Sequence, residues 1–128
     1  MRRVPGRSRI LVVDDDAAIT ATFENILAGE GYRVATATDG DQAIDLAARQ
    51  PFDVVLLDLV MPGTDGLDAL RRLREVAPRA RIVILSAYIE PDREAEAFRL
   101  GAEAVLAKPP DLNKLLRFLG DLTHPGSA

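Results

Sequence analysis

Val54-Val55-Leu56-Leu57-Asp58 is the stretch on which the fold of this chain turns. Four large apolar residues in a row leave no polar face, so the segment reads as a strand buried on both sides. The same pattern, a short apolar run ended by a polar residue, recurs three times. Leu11-Val12-Val13 precedes Asp14-Asp15, Ile82-Val83-Ile84-Leu85 precedes Ser86, and Ala104-Val105-Leu106-Ala107 precedes Lys108. Strands buried on both faces belong to parallel sheets covered by helices, and there every strand points the same way. Residues just past the strand ends gather on one edge, where ligands bind at the switch point of the strand order. Three carboxylates, a hydroxyl and an ammonium are thereby predicted to meet in one place.

Strand and helix patterns alternate along the whole chain. Strands are predicted at 9–13, 33–37, 53–57, 81–85 and 104–107. Between them, Ile19, Phe23, Ile26 and Leu27 recur at helical spacing, with Gly29 and Gly31 as a stop signal. Ala43, Ile44, Ala47 and Ala48 mark a second helix, opened near Asp39-Gly40 and closed by Pro51. Leu67, Leu70 and Leu73 form a third apolar stripe, with Arg71, Arg72, Arg74 and Glu75 turned to water. A fourth helix starts at Pro91, where a missing N–H is harmless, and ends near Gly101. Leu112, Leu115, Leu116 and Leu119 give the fifth, capped by Asp111. Five βα units with right-handed crossovers make a doubly wound α/β sheet of five parallel strands with five flanking helices, of flavodoxin-like order 2-1-3-4-5. The domain is expected over residues 8–122, with flexible tails at 1–7 and 123–128.

The 128 residues suffice for one domain with a real core. Apolar content of 48% and charged content of 28% are those of a soluble globular protein. A net charge of -4 argues against nucleic acid or an anionic membrane as the main partner. No apolar stretch approaches the roughly 20 residues that span a bilayer. The absence of cysteine removes thiol and disulfide chemistry and fits a reducing, cytoplasmic setting.

The order 2-1-3-4-5 puts Asp14 and Asp15 beside Asp58, then Ser86, then Lys108. Three carboxylates so close raise one another's pKa unless their charge is compensated. A hard divalent cation resolves the conflict, and an oxygen donor set suits Mg²⁺. Lys108 supplies a second positive charge. A carboxylate can attack phosphorus to give an aspartyl phosphate, and phosphoryl transfer asks the protein for positioning and charge neutralisation. Taken singly the parts are plainer: Asp14-Asp15-Asp16 also reads as a helix cap, Ser86 as a strand end, and Asp65-Gly66 as a turn and helix start. The agreement of four strand ends carries the argument.

Ile10-Leu11-Val12-Val13-Asp14-Asp15, the run from Asp53 through Asp58-Leu59-Val60-Met61-Pro62-Gly63 to Asp65-Gly66, Ile84-Leu85-Ser86-Ala87 and Gly101-Ala102 through Lys108-Pro109 resemble the receiver domains of two-component response regulators. The resemblance runs in register over about residues 8–122. It implies that Asp58 accepts a phosphoryl group from a phosphohistidine on a histidine kinase or histidine phosphotransfer protein. Asp14 and Asp15 would hold Mg²⁺ together with Asp58 and the backbone carbonyl of Val60. Ser86 would hydrogen-bond the phosphoryl oxygens, Lys108 would pair with them, and the Lys108-Pro109 bond would be cis. An output partner or effector domain and a phosphorylation-dependent dimer are further expectations. Helix 4, strand 5 and helix 5, roughly residues 88–119, are expected to form the output face.

The chain departs from the family pattern at several places. Val105 stands where receivers often carry a switching Tyr or Phe, and Pro110 replaces the common Phe after Lys108-Pro109. Val60 and Tyr88, two residues past Asp58 and Ser86, are large and offer no carboxylate or amide to orient water. A degenerate receiver, acting as a phosphorylation-independent interaction module, is the alternative that Val105 and Pro110 favour; the intact Asp14, Asp15, Asp58, Ser86 and Lys108 argue against it. A phosphohydrolase with an aspartate nucleophile would usually carry an acid where Val60 stands. A nucleotide-binding domain would carry a Gly-rich loop after the first strand.

Overall fold

The computed structural model describes residues 8–61 and 63–123. Its main sheet has five parallel strands, β1 (Arg9–Val13), β2 (Arg33–Ala37), β3 (Val54–Leu57), β4 (Arg81–Ser86) and β5 (Ala104–Ala107). They lie in the order β2-β1-β3-β4-β5, as the alternating pattern predicts. The five helices are α1 (Ala17–Gly29), α2 (Gly40–Arg49), α3 (Gly66–Val76), α4 (Pro91–Arg99) and α5 (Leu112–Thr123).

Alternation along each strand divides the core in two. Leu11, Val13, Val55, Leu57, Ile82 and Ile84 face one layer, where Ala43 and Ala47 of α2, Leu70 and Leu73 of α3 and Ala97 of α4 close over them. Ile10, Val12, Val54, Leu56, Val83 and Leu85 face the other, against Phe23 and Leu27 of α1 and Leu115 and Leu119 of α5. Each such aliphatic side chain, fully buried, contributes about 1.5–3 kcal/mol. The continuous apolar runs therefore reflect a sheet covered on both sides.

The helix ends follow from local chemistry. Asp16, Asp39 and Asp65 cap α1, α2 and α3 by accepting first-turn N–H groups, and Asp111 accepts the Lys114 N–H at the start of α5. α1 stops in a Schellman turn: the Gly31 N–H bonds the Ala28 carbonyl and the Tyr32 N–H the Leu27 carbonyl. Gly31, at φ 97°, takes the left-handed conformation this turn demands.

Three details differ from the sequence reading. Ser86 is the last residue of β4, paired with Ala107, rather than the first residue beyond the strand. Val60–Met61 and Thr64–Asp65 form a small antiparallel ladder that the turn signals there did not announce. Thr123, expected to begin a flexible tail, belongs to α5: it is buried, and its Oγ1 lies 2.8 Å from the Leu119 carbonyl and 3.3 Å from Tyr32 Oη. Its amphipathic neighbours and these two partners carry the helix one residue further. The rest of the expected tails, 1–7 and 124–128, lies outside the described residues.

Candidate functional site

The sheet ladder runs one residue past three of its strands and so fixes the site backbone. The Asp14 N–H donates to the Ala37 carbonyl at 3.1 Å, the Asp58 N–H to Val13 at 3.0 Å and the Lys108 N–H to Ser86 at 3.0 Å. Asp14, Asp58 and Lys108 are thus held on one sheet edge, and Asp15 follows Asp14 into the loop. A carboxylate oxygen from each of Asp14, Asp15 and Asp58 lies within 4.8 Å of the others. Asp14 is 4% exposed and Asp58 7%, whereas Asp15 is open to solvent.

Each buried carboxylate is held by both oxygens. Asp58 Oδ1 accepts the Val60 N–H at 2.9 Å, and Oδ2 accepts from Lys108 Nζ at 2.9 Å. Asp14 Oδ1 accepts the Asp16 N–H at 3.0 Å, and Oδ2 accepts from the same ammonium. The Asp14-Asp15-Asp16 triplet therefore divides its labour. Asp16 is the helix cap, Asp14 is the buried carboxylate and Asp15 is the solvent-facing one.

Lys108 is the cluster's internal cation. Burial, the largest single influence, pushes its pKa down. Hydrogen bonds and charge from Asp14 and Asp58 together outweigh that and raise it above the usual 10.5. Three carboxylates and one ammonium still carry a formal charge of minus two. A single divalent cation balances it, and an all-oxygen donor set without His or Cys fits a hard ion such as Mg²⁺. Ser86, 2% exposed, donates its Oγ proton to the Tyr88 carbonyl at 3.1 Å. Val60 is 65% exposed beside Asp58, and the Lys108-Pro109 bond is cis.

Two contributors escaped the sequence reading. The Val60 amide orients Asp58, a role any residue but proline can fill and hence one without a sequence signal. Gly66 at the start of α3 reads as a turn residue, yet a Cβ there would lie 2.3 Å from the Leu59 carbonyl oxygen and 2.4 Å from Leu59 Cα. The helix passes too close to the residue after Asp58 for any side chain. The signal was a glycine in a helix's first turn, where propensity disfavours it.

The family model of the response regulator receiver domain matches residues 10–119. The alginate biosynthesis transcriptional regulatory protein AlgB of Pseudomonas aeruginosa is 44% identical over 111 residues, 85% of this chain and 25% of AlgB. The chain thus spans about a quarter of the length of that relative. Sporulation initiation phosphotransferase F of Bacillus subtilis is 36% identical over 107 residues, 84% of this chain and 86% of that protein. Response regulator protein TrrA of Thermotoga maritima, solved in complex with Mg(2+)-BeF, has a TM-score of 0.80 at 30% identity. The match covers 90% of this chain and 98% of that one. No helix among the described residues is long and apolar enough to cross a membrane. With its five-stranded sheet, its acidic edge and a family match over most of its length, the chain belongs to the response regulator receiver domains.

Proposed function

We propose that this receiver is a working phosphoacceptor in which Asp58 takes a phosphoryl group from a phosphohistidine. The observation that carries the reading is the convergence of Asp14, Asp15 and Asp58, with the Lys108 ammonium bridging Asp14 and Asp58. A purely structural ion pair needs one carboxylate for one ammonium. Here two further carboxylates, Asp14 and Asp15, stand beside that of Asp58, an arrangement suited to gathering cations around an incoming phosphoryl group.

In the reaction a carboxylate oxygen of Asp58 attacks phosphorus. The new O–P bond forms as the P–N bond to the donor imidazole breaks, and the bonding pair stays on that nitrogen. With the other ring nitrogen protonated, the imidazole leaves neutral. Asp14, Asp15, Asp58 and the Val60 carbonyl are the residues assigned to hold Mg²⁺, which when bound neutralises charge on the phosphoryl oxygens. That TrrA is solved with Mg(2+)-BeF supports this choice of ion. Lys108 moves its hydrogen bonds from the carboxylates toward the transferred group. Ser86 does the same with its hydroxyl, releasing the Tyr88 carbonyl. The chain acts as a regulatory phosphoacceptor that takes part in its own phosphorylation and dephosphorylation, not as a turnover enzyme.

The partners assigned are a histidine kinase or histidine phosphotransfer protein upstream and an output partner or effector domain downstream, in the cytoplasm. The output face is α4, β5 and α5, whose bases carry Ser86 and Lys108. A phosphorylation-dependent dimer would use the same face. The test is incubation with Mg²⁺ and acetyl phosphate, followed by mapping of the modified peptide. Label on Asp58, lost in Asp58→Asn, is the expected result. Full labelling of Asp58→Asn, or none of the wild type with competent donors, overturns the proposal.

A further inference from the structure

Tyr88 is 71% exposed in the loop between β4 and α4, on the sheet edge that carries Asp58. It heads the run Tyr88-Ile89-Glu90-Pro91-Asp92, whose two acids are exposed as well. Arg93, next in line, is turned toward Asp65 at 3.6 Å, so the loop presents an aromatic ring followed by two carboxylates. A lone exposed aromatic needs no explanation by itself, but the opposite edge of the sheet carries its complement. There the C-terminal ends of α2 and α3 enclose a notch of about 340 Å³, lined by Ala47, Phe52, Val76 and Ala80 and by Arg49 and Arg79. Ala47, Phe52 and Ala80 belong to the core beneath, and Val76 is 38% exposed, so the floor is apolar and open to solvent. The rim is cationic. Arg79 is exposed, and Arg49 meets Asp45 in an exposed pair, which contributes little. Arg9 and Arg81 begin β1 and β4 on the same edge. The acids among them, Asp53 and Glu103, are taken up by the Arg9 N–H at 2.8 Å and by the Arg81 guanidinium at 3.4 Å.

We propose that this chain associates head to tail with a second copy of itself: Tyr88 of one copy seats in the notch between α2 and α3 of the next, with Glu90 and Asp92 facing Arg49 and Arg79. The occupant is named by complementarity of both kinds. The loop offers a ring and two negative charges, and the notch offers an apolar floor and two positive ones. Tyrosine suits such an anchor, because its ring is large and rigid and its hydroxyl stays hydrogen-bonded at a wet rim. The rim charges fix orientation and speed encounter more than they add affinity. The loop lies past the end of β4 and the notch before the starts of β3 and β4, at opposite ends of the strands. One copy therefore cannot fill its own notch, and each added copy leaves a free loop at one end and a free notch at the other. Such a heterologous contact continues in one direction, unlike a two-fold dimer, which closes on itself. With one anchoring side chain per contact the association is weak, with a dissociation constant of about 0.1–1 mM. It needs neither Mg²⁺ nor phosphorylation and stands apart from the phosphoacceptor reading.

The test is sedimentation equilibrium of the unphosphorylated full chain in chelator, over a concentration series reaching about 1 mM. The weight-average mass should climb above that of the monomer at about 20 mM salt and fall back at about 0.5 M, where the rim charges are screened. Over the same series the amides of Phe52 and Val76 should shift in NMR spectra. Two surface variants then separate the halves of the contact. Tyr88→Ala lacks the anchor and keeps the notch; the double variant Arg49→Glu with Arg79→Glu keeps the anchor and spoils the notch. Each alone should be monomeric, with thermal unfolding as in wild type. Mixed in equal amounts, they should form a dimer and nothing larger, because only one anchor and one notch match. A wild type that stays monomeric at the highest concentration in low salt overturns the proposal. So does association that survives Tyr88→Ala, or a mixture of the two variants that stays monomeric, since either result places the contact on another face.

Discussion

Lys108 Nζ stands 2.9 Å from Asp58 Oδ2 and bonds Asp14 Oδ2 as well, joining residues 50 and 94 positions away in the chain. Without this ammonium, two buried carboxylates would face each other across the ends of neighbouring strands. Lys108 is thus a structural element of the site, apart from the role proposed for it toward a phosphoryl group.

Lys108→Ala should therefore lose stability, by about 1–3 kcal/mol in the absence of divalent ions, the cost of stripping buried charged acceptors of their donor. Saturating Mg²⁺ should recover part of that, since the ion compensates the same carboxylates. Urea unfolding in chelator and in Mg²⁺ measures both. Equal wild-type and variant stability in chelator would show that the ammonium is dispensable to the fold.

Asp15→Ala should weaken Mg²⁺ binding by ~10-fold or more, because it removes both a ligand and a charge that draws the ion in. Asp15 is exposed and carries no helix cap, so the urea midpoint in chelator should hardly move. Calorimetric titration with Mg²⁺ gives the affinity. An unchanged dissociation constant would remove Asp15 from the ligand set.

Gly66→Ala and Gly120→Ala should go in opposite directions. A Cβ at Gly66 meets the Leu59 backbone at 2.3–2.7 Å, so α3 or the residue after Asp58 must move, at a cost of about 1–3 kcal/mol. Phosphorylation should slow as well, because that shift displaces Asp58. Gly120, inside α5, has nothing within 4 Å of the added carbon, and alanine there should stabilise by about 0.5–1 kcal/mol. Thermal unfolding of the two variants separates a steric requirement from a helix preference.

Val60→Asn should shorten the life of the aspartyl phosphate. Val60, two residues past Asp58, is 65% exposed, and its side chain offers nothing to align a water. An amide can align a water but takes no proton, so the effect should stay near ~10-fold, below the ~10²-fold typical of a general base. Decay of labelled protein after donor removal, at fixed Mg²⁺, is the measurement. Identical decay rates would mean that this side chain does not govern hydrolysis.

How far the sequence reached depends on the range of the interaction involved. Val54 through Leu57 had to be buried on both faces, since nothing polar interrupts them, and a strand so buried implies a parallel sheet under helices. The caps at Asp39, Asp65 and Asp111 and the stop at Gly31 depend on atoms within five residues, so they too were legible. Strand order followed from topology rules, and the gathering of Asp14, Asp58 and Lys108 on one edge followed from strand order.

Tertiary structure decided what each polar atom touches. A continuous apolar run does not say which of Leu11 and Val12 faces α3 and which α1; that parity is set by the helices packed on either side. Asp14, Asp15 and Asp16 are chemically alike in sequence, and only their positions relative to Lys108 and the first turn of α1 distinguish a buried ion pair, an exposed acid and a cap. The choice by Ser86 of the Tyr88 carbonyl, the closeness of Gly66 to Leu59 and the Thr123–Tyr32 contact arise between backbones and side chains brought together by packing. Local patterning encodes burial because the solvent acts on every residue alike. Partners are encoded only by the whole fold, because a hydrogen bond is directional and its two ends here are up to 94 residues apart.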